Sequence, residues 1–335
     1  MVNDRGELRF DPVSKFASTG QRRSPTFDRD LFRSTLGELG VLNVVSERIL
    51  EQLPEAFTMP VLEKVIASLH GDVFDTAMRA ETVRVVHLLA NSNYIAVFDE
   101  ETLVSERVLF PSGPYESHGM EDARFVQFVD DDGSVMRYGT YTAWDGVKII
   151  PQLIETKDFR SFRVATLSGS AVQNKGMALF PRKIAGQYAM LSRTDRENID
   201  LMFSGHIRQW ETSNRLTVPR MPWELIQIGN CGSPIETPDG WIVLTHGVGP
   251  MRTYAIGALL LDLDDPSKVI GQLAQPLLLP DATERDGYVP NVVYSCGAMV
   301  HQDWLFLPYG VSDMGARVAR IQLRELIEAL QTGRV

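Results

Sequence analysis

Cysteine is scarce in this chain. Only Cys231 and Cys296 occur among 335 residues, and neither sits in a CxxC or similar metal-binding pattern. Two thiols in so long a chain fit a reducing compartment, and both are expected to pack as small apolar groups. Positive charge is also short. Lys and Arg number 33 against 43 Asp and Glu, for a formal net charge of −10. No basic run or Arg/Lys-rich helix offsets this, which excludes nucleic acid as an expected partner. A local cluster of basic side chains can still bind a small anion on an acidic protein. No apolar run approaches the length of a membrane span. The N-terminus MVNDRGELRF lacks the apolar core of a signal peptide. These features predict a cytoplasmic protein with no membrane partner. The P-loop, the dinucleotide fingerprint, HExxH and GxSxG are missing as well, so the familiar nucleotide, zinc and serine chemistries find no support.

What is present is apolar content: 44% of residues are hydrophobic, enough for one large domain or two ordinary ones. Residues 28–70 read as helical. Asp28 is placed to cap DRDLFRSTLGELG, Ser46 to cap SERILEQL, and Thr58 to open TMPVLEKVIASL with a proline in the first turn. From about residue 81 the texture becomes short alternating apolar runs separated by Gly, Pro, Asn and Asp. VRVVHLL, RFVQFVDDDG, QYAMLSR, GWIVLTHGV and DWLFLPYGV are examples. IQLRELIEALQ, near the C-terminus, reads as a helix. The expected division is therefore 1–80, a strand remnant and helical segment, and 81–335, a strand-dominated domain.

The strand units repeat. SVMRYGTYTAW, GQYAMLSRTD, GWIVLTHGVG and DWLFLPYGVSD place Tyr141, Arg193, His246 and Tyr309 at similar points, about 52, 53 and 63 residues apart. VRVVHLLANSNYIAVF, near His87, reads as a further unit. That period suits a four-stranded propeller blade. Inner strands of successive blades converge on one axial channel, which would bring Tyr141, Arg193 and His246 together.

Four segments carry unusual polar patterns: HGMEDARF (118–125), NKGMALFPRK with the following LSR, GNCGSPIETPDGWIVLTHGVG, and GYVPNVVYSCGAMV with the following YGVSD. In an extended chain, Asp122 and Arg124 would share one face, and Glu121 the other. Taken singly, each candidate has an ordinary explanation. Asp122 with Arg124 makes a strand-end ion pair. His246 is a turn histidine, and Lys175, Arg193 and Glu236 are surface charges. Asp313 forms a turn, while Tyr141 and Tyr254 are strand aromatics. Trp144, Trp223 and Trp241 are expected in the core or at strand ends.

Together, EDAR, YTAWDG, NKGMALFPRKI, SPIETPDGWIVLTHGV, the ALLLDLDDP run and YVPNVVYSCGA resemble glycoside hydrolase family 130, the β-mannoside phosphorylases and mannosidases, from about residue 81 to 322. The resemblance implies a five-bladed β-propeller with its site at the central axis, and inverting cleavage of β-mannosides by phosphate or by water. It implies an oligosaccharide or disaccharide substrate, inorganic phosphate as co-substrate, and no metal or other cofactor. It assigns Asp122 as proton donor, with Ala123 standing where the family has proline. It assigns Lys175, Arg193 and His246 to phosphate, a combination of point charge, planar donor fork and imidazole suited to that anion. Glu121, Arg124, Tyr141, Asn174, Tyr254 and Asp313 are left to hold or orient sugar. Glu236 stands where many phosphorylases have a basic residue. There it would repel phosphate, yet it could serve as the base of a hydrolase. The family's Asn-Pro segment upstream of the acid is not found. The chain reads as if the first strands of blade one were absent or replaced, with activity dependent on them. Homo-oligomerisation is one way to cover the edges so exposed.

Overall fold

The computed structural model describes residues 3, 6–10, 12, 14–69 and 75–333. Helices come first. α1 (Arg29–Glu38) is capped by the Asp28 carboxylate, which accepts from the Leu31 N–H. α2 (Val44–Gln52) begins three residues earlier than its sequence pattern suggests. Asn43 is the cap, and Ser46 returns a hydrogen bond to the Asn43 backbone in a reciprocal capping box. α3 (Met59–Ser68) follows Thr58, with proline in its first turn.

The next element corrects the sequence reading. VRVVHLL is no blade strand: it lies within α4 (Thr76–Ser92). The buried residues Thr82, Val85, Val86, Leu89 and Ala90 recur at helical spacing, and the last four pack on α1–α3 in one cluster. A run rich in β-branched residues satisfies both periods, and burial on one side decides for the helix. The boundary drawn at residues 80 and 81 therefore falls inside α4. His87 does not face an axis; it approaches Glu63 at 3.4 Å.

The rest of the chain is mostly antiparallel β-structure in four larger sheets. Sheet one runs Gln21–Arg23, Tyr94–Val97, Ser161–Thr166, Ile149–Thr156, Val135–Trp144 and Gly119–Val129 in spatial order. Sheet two is a meander of Lys175–Leu179, Tyr188–Arg193, Ile199–Ser204 and Asn214–Thr217. Sheet three is built on Gly240–Val248, which pairs with Gln227–Asn230 and Ile235–Thr237 on one side and Tyr254–Leu261 on the other. Sheet four is built on Trp304–Val311, paired with Val293–Tyr294, Met299–His301 and Gly315–Gln322. The chain then enters α5 (Leu323–Thr332), whose Leu326 and Leu330 join the core of sheets three and four.

Alternation along strands explains the stacking. Trp241 and Val243 join a cluster with Leu191 and Leu201 of sheet two. Ile242 and Leu244 join another with Leu305 and Leu307 of sheet four. Gly240–Val248 is buried throughout because both its faces are covered. Sheets one and two share Phe128, Leu153, Met177 and Met190. Sheets one and four are not closed on each other. Between them lies an apolar groove of about 730 Å³, lined by Phe125 on one side and Met299, Phe306 and Val318 on the other.

Candidate active site

Gly119–Val129 of sheet one and the first strands of sheets two, three and four bring side chains to one polar cleft of about 420 Å³. Register explains which side chains arrive there. Lys175 pairs with Arg193, Gly229 with His246, and Tyr294 with Gly310. Arg193 and His246 are thus equivalent positions, as the repeat predicted, and Arg193 Nη1 lies 3.0 Å from His246 Nε2. In sheet one the position facing Glu121 is Thr142, not Tyr141. One residue along a strand reverses the face. Tyr141 is accordingly buried in a core cluster with Tyr94 and Tyr115, and its hydroxyl donates to Glu116. It is not a wall of the sugar site.

The EDAR segment also departs from simple alternation. Glu121 faces Thr142 and Arg124 faces Thr140, so the strand carries one residue more than its partner. This is a β-bulge, which re-aims side chains. Asp122 sits within it at φ 58°, a left-handed conformation that Asp tolerates better than most residues. The bulge turns Glu121 and Asp122 toward the cleft and drives the Arg124 side chain inward, to 1% exposure. Sheet two repeats the device. Its register slips between Lys175 and Ala178, with Asn174 at φ 60°, and Asn174 and Lys175 line the cleft.

Asp122 is a quarter exposed. The Tyr294 hydroxyl donates to its Oδ2 at 3.3 Å, and Cys296 Sγ lies 3.9 Å from Oδ1. Cys296 is therefore not simply core packing, although burial pushes its thiol up to about 11 and keeps it protonated. Cys231 is fully buried, as expected for a packing thiol. Lys175 pairs with Glu121 at 2.5 Å on the cleft wall. Arg196 Nε donates to Asn174 Oδ1 at 2.8 Å. Tyr254 and Asp313 both line the cleft, and the Tyr254 ring stacks on His246 at 6.0 Å and 15°.

Arg193 is the unusual group. It is 9% exposed, its recorded hydrogen bond goes to an imidazole, and its Nε has no partner. No carboxylate among the described residues lies within ion-pair distance of it. Burial lowers its proton affinity, with repulsion from Arg124 adding to this against the opposing effect of Tyr294. A guanidinium nevertheless stays charged. Gly229 makes this packing possible, since a Cβ there would lie 2.5 Å from the His246 ring and 3.0 Å from Arg193 Nη1.

His246 is held neutral. Burial lowers its pKa far below 6.5, and Arg193 and Arg124 push the same way. Arg193 can only donate, so Nε2 accepts and the ring proton lies on Nδ1. In the unfolded chain the same ring would bind a proton below about 6.5. Stability should thus be complete above that pH and fall as pH drops, by about 1.4 kcal/mol per unit, until the folded state also protonates. Urea unfolding between pH 7 and pH 5.5 is expected to show this fall, and a shallower one in His246→Gln.

Glu236 lies elsewhere. Its carboxylate makes a two-pronged contact with Arg182, at 2.8 Å and 3.1 Å, and Arg182 in turn covers the Trp241 ring at 4.9 Å. Glu236 faces Trp241 near the Pro-Asp-Gly turn, at the opposite end of the strand from His246. Five residues of strand amount to about 17 Å. Glu236 is therefore no base for a water in this cleft. Tyr294, Arg196, Arg252 and Gln227 line the cleft but were not singled out from sequence. Tyr294 stands inside the YVPNVVYSCGA pattern, while the other three occupy turns or short strands that carry no periodic signal. Among the described residues, no group of three or more His, Cys, Asp or Glu side chains is arranged to hold a metal ion.

A cleft with Glu121 and Asp122 presented at a bulge and a buried Arg193 opposite suits the transfer of a group to an anion. The chain belongs to glycoside hydrolase family 130, whose sequence model, described as beta-1,4-mannooligosaccharide phosphorylase, matches residues 76–332. The chain is 40% identical to a 1,2-beta-oligomannan phosphorylase of Thermoanaerobacter over 46% of its own length and 52% of that relative's. It is 28% identical to a beta-1,2-mannobiose phosphorylase of Listeria innocua, with 88% of each chain covered. The chain thus spans about half of the first relative and most of the second. The solved Listeria innocua enzyme in complex with beta-1,2-mannobiose superposes with a TM-score of 0.61 at 29% identity, over 70% of this chain and 65% of that one.

Proposed function

We propose that the protein is an inverting β-mannoside phosphorylase. A phosphate oxygen bonds to C1 of the terminal mannosyl residue, the bond from C1 to the glycosidic oxygen breaks, and Asp122 supplies the proton that the departing oxygen takes up, directly or through a sugar hydroxyl. The products are mannose 1-phosphate and the shortened sugar. The observation that carries this reading is Arg193. A buried guanidinium with no carboxylate beside it is costly, and a phosphate dianion entering the cleft would remove that cost. His246 offers a neutral imidazole there, and Lys175 a point charge. Glu121, Asn174, Tyr254 and Asp313 remain for the sugar, while Arg124, expected to join them, is buried behind the cleft wall. No second carboxylate is needed, because phosphate is already a nucleophile.

The same reading takes the four stacked sheets and the open side between sheets one and four as parts of a five-bladed propeller with an incomplete first blade. It includes a cytoplasmic location and assembly into homo-oligomers. The relatives' names favour the β-1,2 linkage as the first to try.

The test is incubation with β-1,2- and β-1,4-mannobiose, with and without phosphate. Mannose 1-phosphate is expected only with phosphate, and Glu236→Gln should stay within twofold of the parent. Equal turnover without phosphate would overturn the reading in favour of hydrolysis. Sugar binding without turnover would overturn it in favour of a binding propeller.

A further inference from the structure

Arg124 Nη1 donates to the Asp122 backbone carbonyl at 3.3 Å, but the guanidinium does not reach the Asp122 carboxylate at hydrogen-bond distance. Arg124 Nη2 lies 4.0 Å from Asp122 Oδ2. The Tyr294 hydroxyl stands between them, 2.7 Å from Arg124 Nη2 and 3.3 Å from Asp122 Oδ2. A phenol has one proton to donate and lone pairs to accept with, whereas a guanidinium can only donate. The hydroxyl must therefore accept from Arg124, and its own proton is turned toward Oδ2. Oδ2 already receives a donor. A proton on that oxygen would compete with the phenol for its lone pairs, whereas Oδ1 faces only the Cys296 thiol at 3.9 Å, a weak donor that can also accept.

We propose that Tyr294 is a positioning residue that decides which oxygen of Asp122 carries the transferable proton, keeping it on Oδ1 and away from Oδ2. The inference rests on the reading of Asp122 as the acid. Tyr294 is held for this task by packing. Its ring meets His246 edge-on, 5.1 Å away at 60°, and Tyr254 at 6.4 Å and 73°. It comes from the first strand of sheet four, whereas Asp122 comes from sheet one, so the proton's location depends on two sheets holding their spacing. The same ring touches the imidazole beside Arg193. One side chain thus joins the acid to the anion-binding floor.

Tyr294→Phe keeps the ring and removes only the hydroxyl. On β-mannobiose with phosphate, kcat is expected to fall about tenfold, while KM for phosphate stays within twofold. A mislaid proton matters only when the leaving oxygen needs one. With dinitrophenyl β-mannoside, whose leaving group departs unaided, the loss should shrink to within twofold. An equal loss on both substrates, or no loss on either, would overturn the proposal, because a merely structural role does not distinguish leaving groups. Thermal unfolding of the variant checks its fold. Should Tyr294→Phe not fold, Arg124→Lys serves: the fork that orients the hydroxyl is gone, and the same substrate-selective loss is expected. Asp122→Asn run in parallel separates the two ideas. Full activity of Asp122→Asn on β-mannobiose would mean that the acid assignment fails. Collapse of Asp122→Asn beside an even-handed Tyr294→Phe would sink the Tyr294 proposal alone.

Discussion

Replacing Arg193 with methionine is expected to lower kcat/KM for phosphate by about 10²–10³-fold, the range seen when a charged or hydrogen-bonding clamp is removed from a dry site. The argument is electrostatic. Arg193 is buried without a carboxylate, and the neighbouring imidazole is neutral. Without Arg193, the floor of the cleft loses the charge aimed at the anion, and His246 cannot replace it. Lys175 compensates only weakly, because it is more exposed than Arg193 and is shared with Glu121. The change should not harm the fold. Methionine has a similar length and no charge to desolvate, so unfolding in phosphate-free buffer should occur at the parent temperature or above it. Phosphate should stabilise the parent, by about 2.7 kcal/mol at a hundred times its dissociation constant, and leave the variant unmoved. Thermal scans across a phosphate series, together with steady-state kinetics, measure both effects. A variant that keeps its phosphate response would show that the anion binds elsewhere.

The second large effect is expected at Asp122. Asp122→Asn should reduce kcat on β-mannobiose by about 10²–10⁴-fold, the usual contribution of a positioned acid. The substitution is isosteric, and asparagine accepts the left-handed backbone of residue 122 as readily as aspartate does. The amide oxygen can still accept from Tyr294. Unfolding temperatures within a few degrees of the parent would confirm that chemistry, not structure, was removed. With dinitrophenyl β-mannoside most of the lost rate should return. Were both substrates equally impaired, Asp122 would be binding sugar and not giving up a proton.

Much of this site was legible in the sequence, for identifiable reasons. Strand texture with turn residues located the sheets, and Asp28 and Thr58 mark two helix starts correctly. Arg193 and His246 could be paired because equivalent strands repeat at a near-constant interval. Tyr141 and Tyr309 failed the same comparison by one position, and that single step sends both to the interior. VRVVHLL failed because residues that suit a strand also satisfied a helical face. Glu236 failed because a motif places a residue along the chain but not at one end of a hairpin or the other. Tyr294 was overlooked for lack of charge, although its hydroxyl is the polar link between Arg124 and Asp122.

The two bulges make the count of residues, and not only their identity, part of the site. From Arg124 onward, Arg124, Val126 and Phe128 turn inward, and Phe125, Gln127 and Val129 turn outward. Removing Ala123 would restore the ladder between Glu121 and Arg124, leave Arg124 and the residues after it with their present partners and faces, and take Asp122 out of the bulge that aims it at the cleft. A survey of point substitutions would not reveal this dependence, since almost any side chain at Ala123 preserves the count. Single-residue deletions would. Length changes should be borne in the Asp130–Ser134 turn but not between Glu121 and Arg124, which makes the short bulge the least editable stretch of an otherwise adaptable strand.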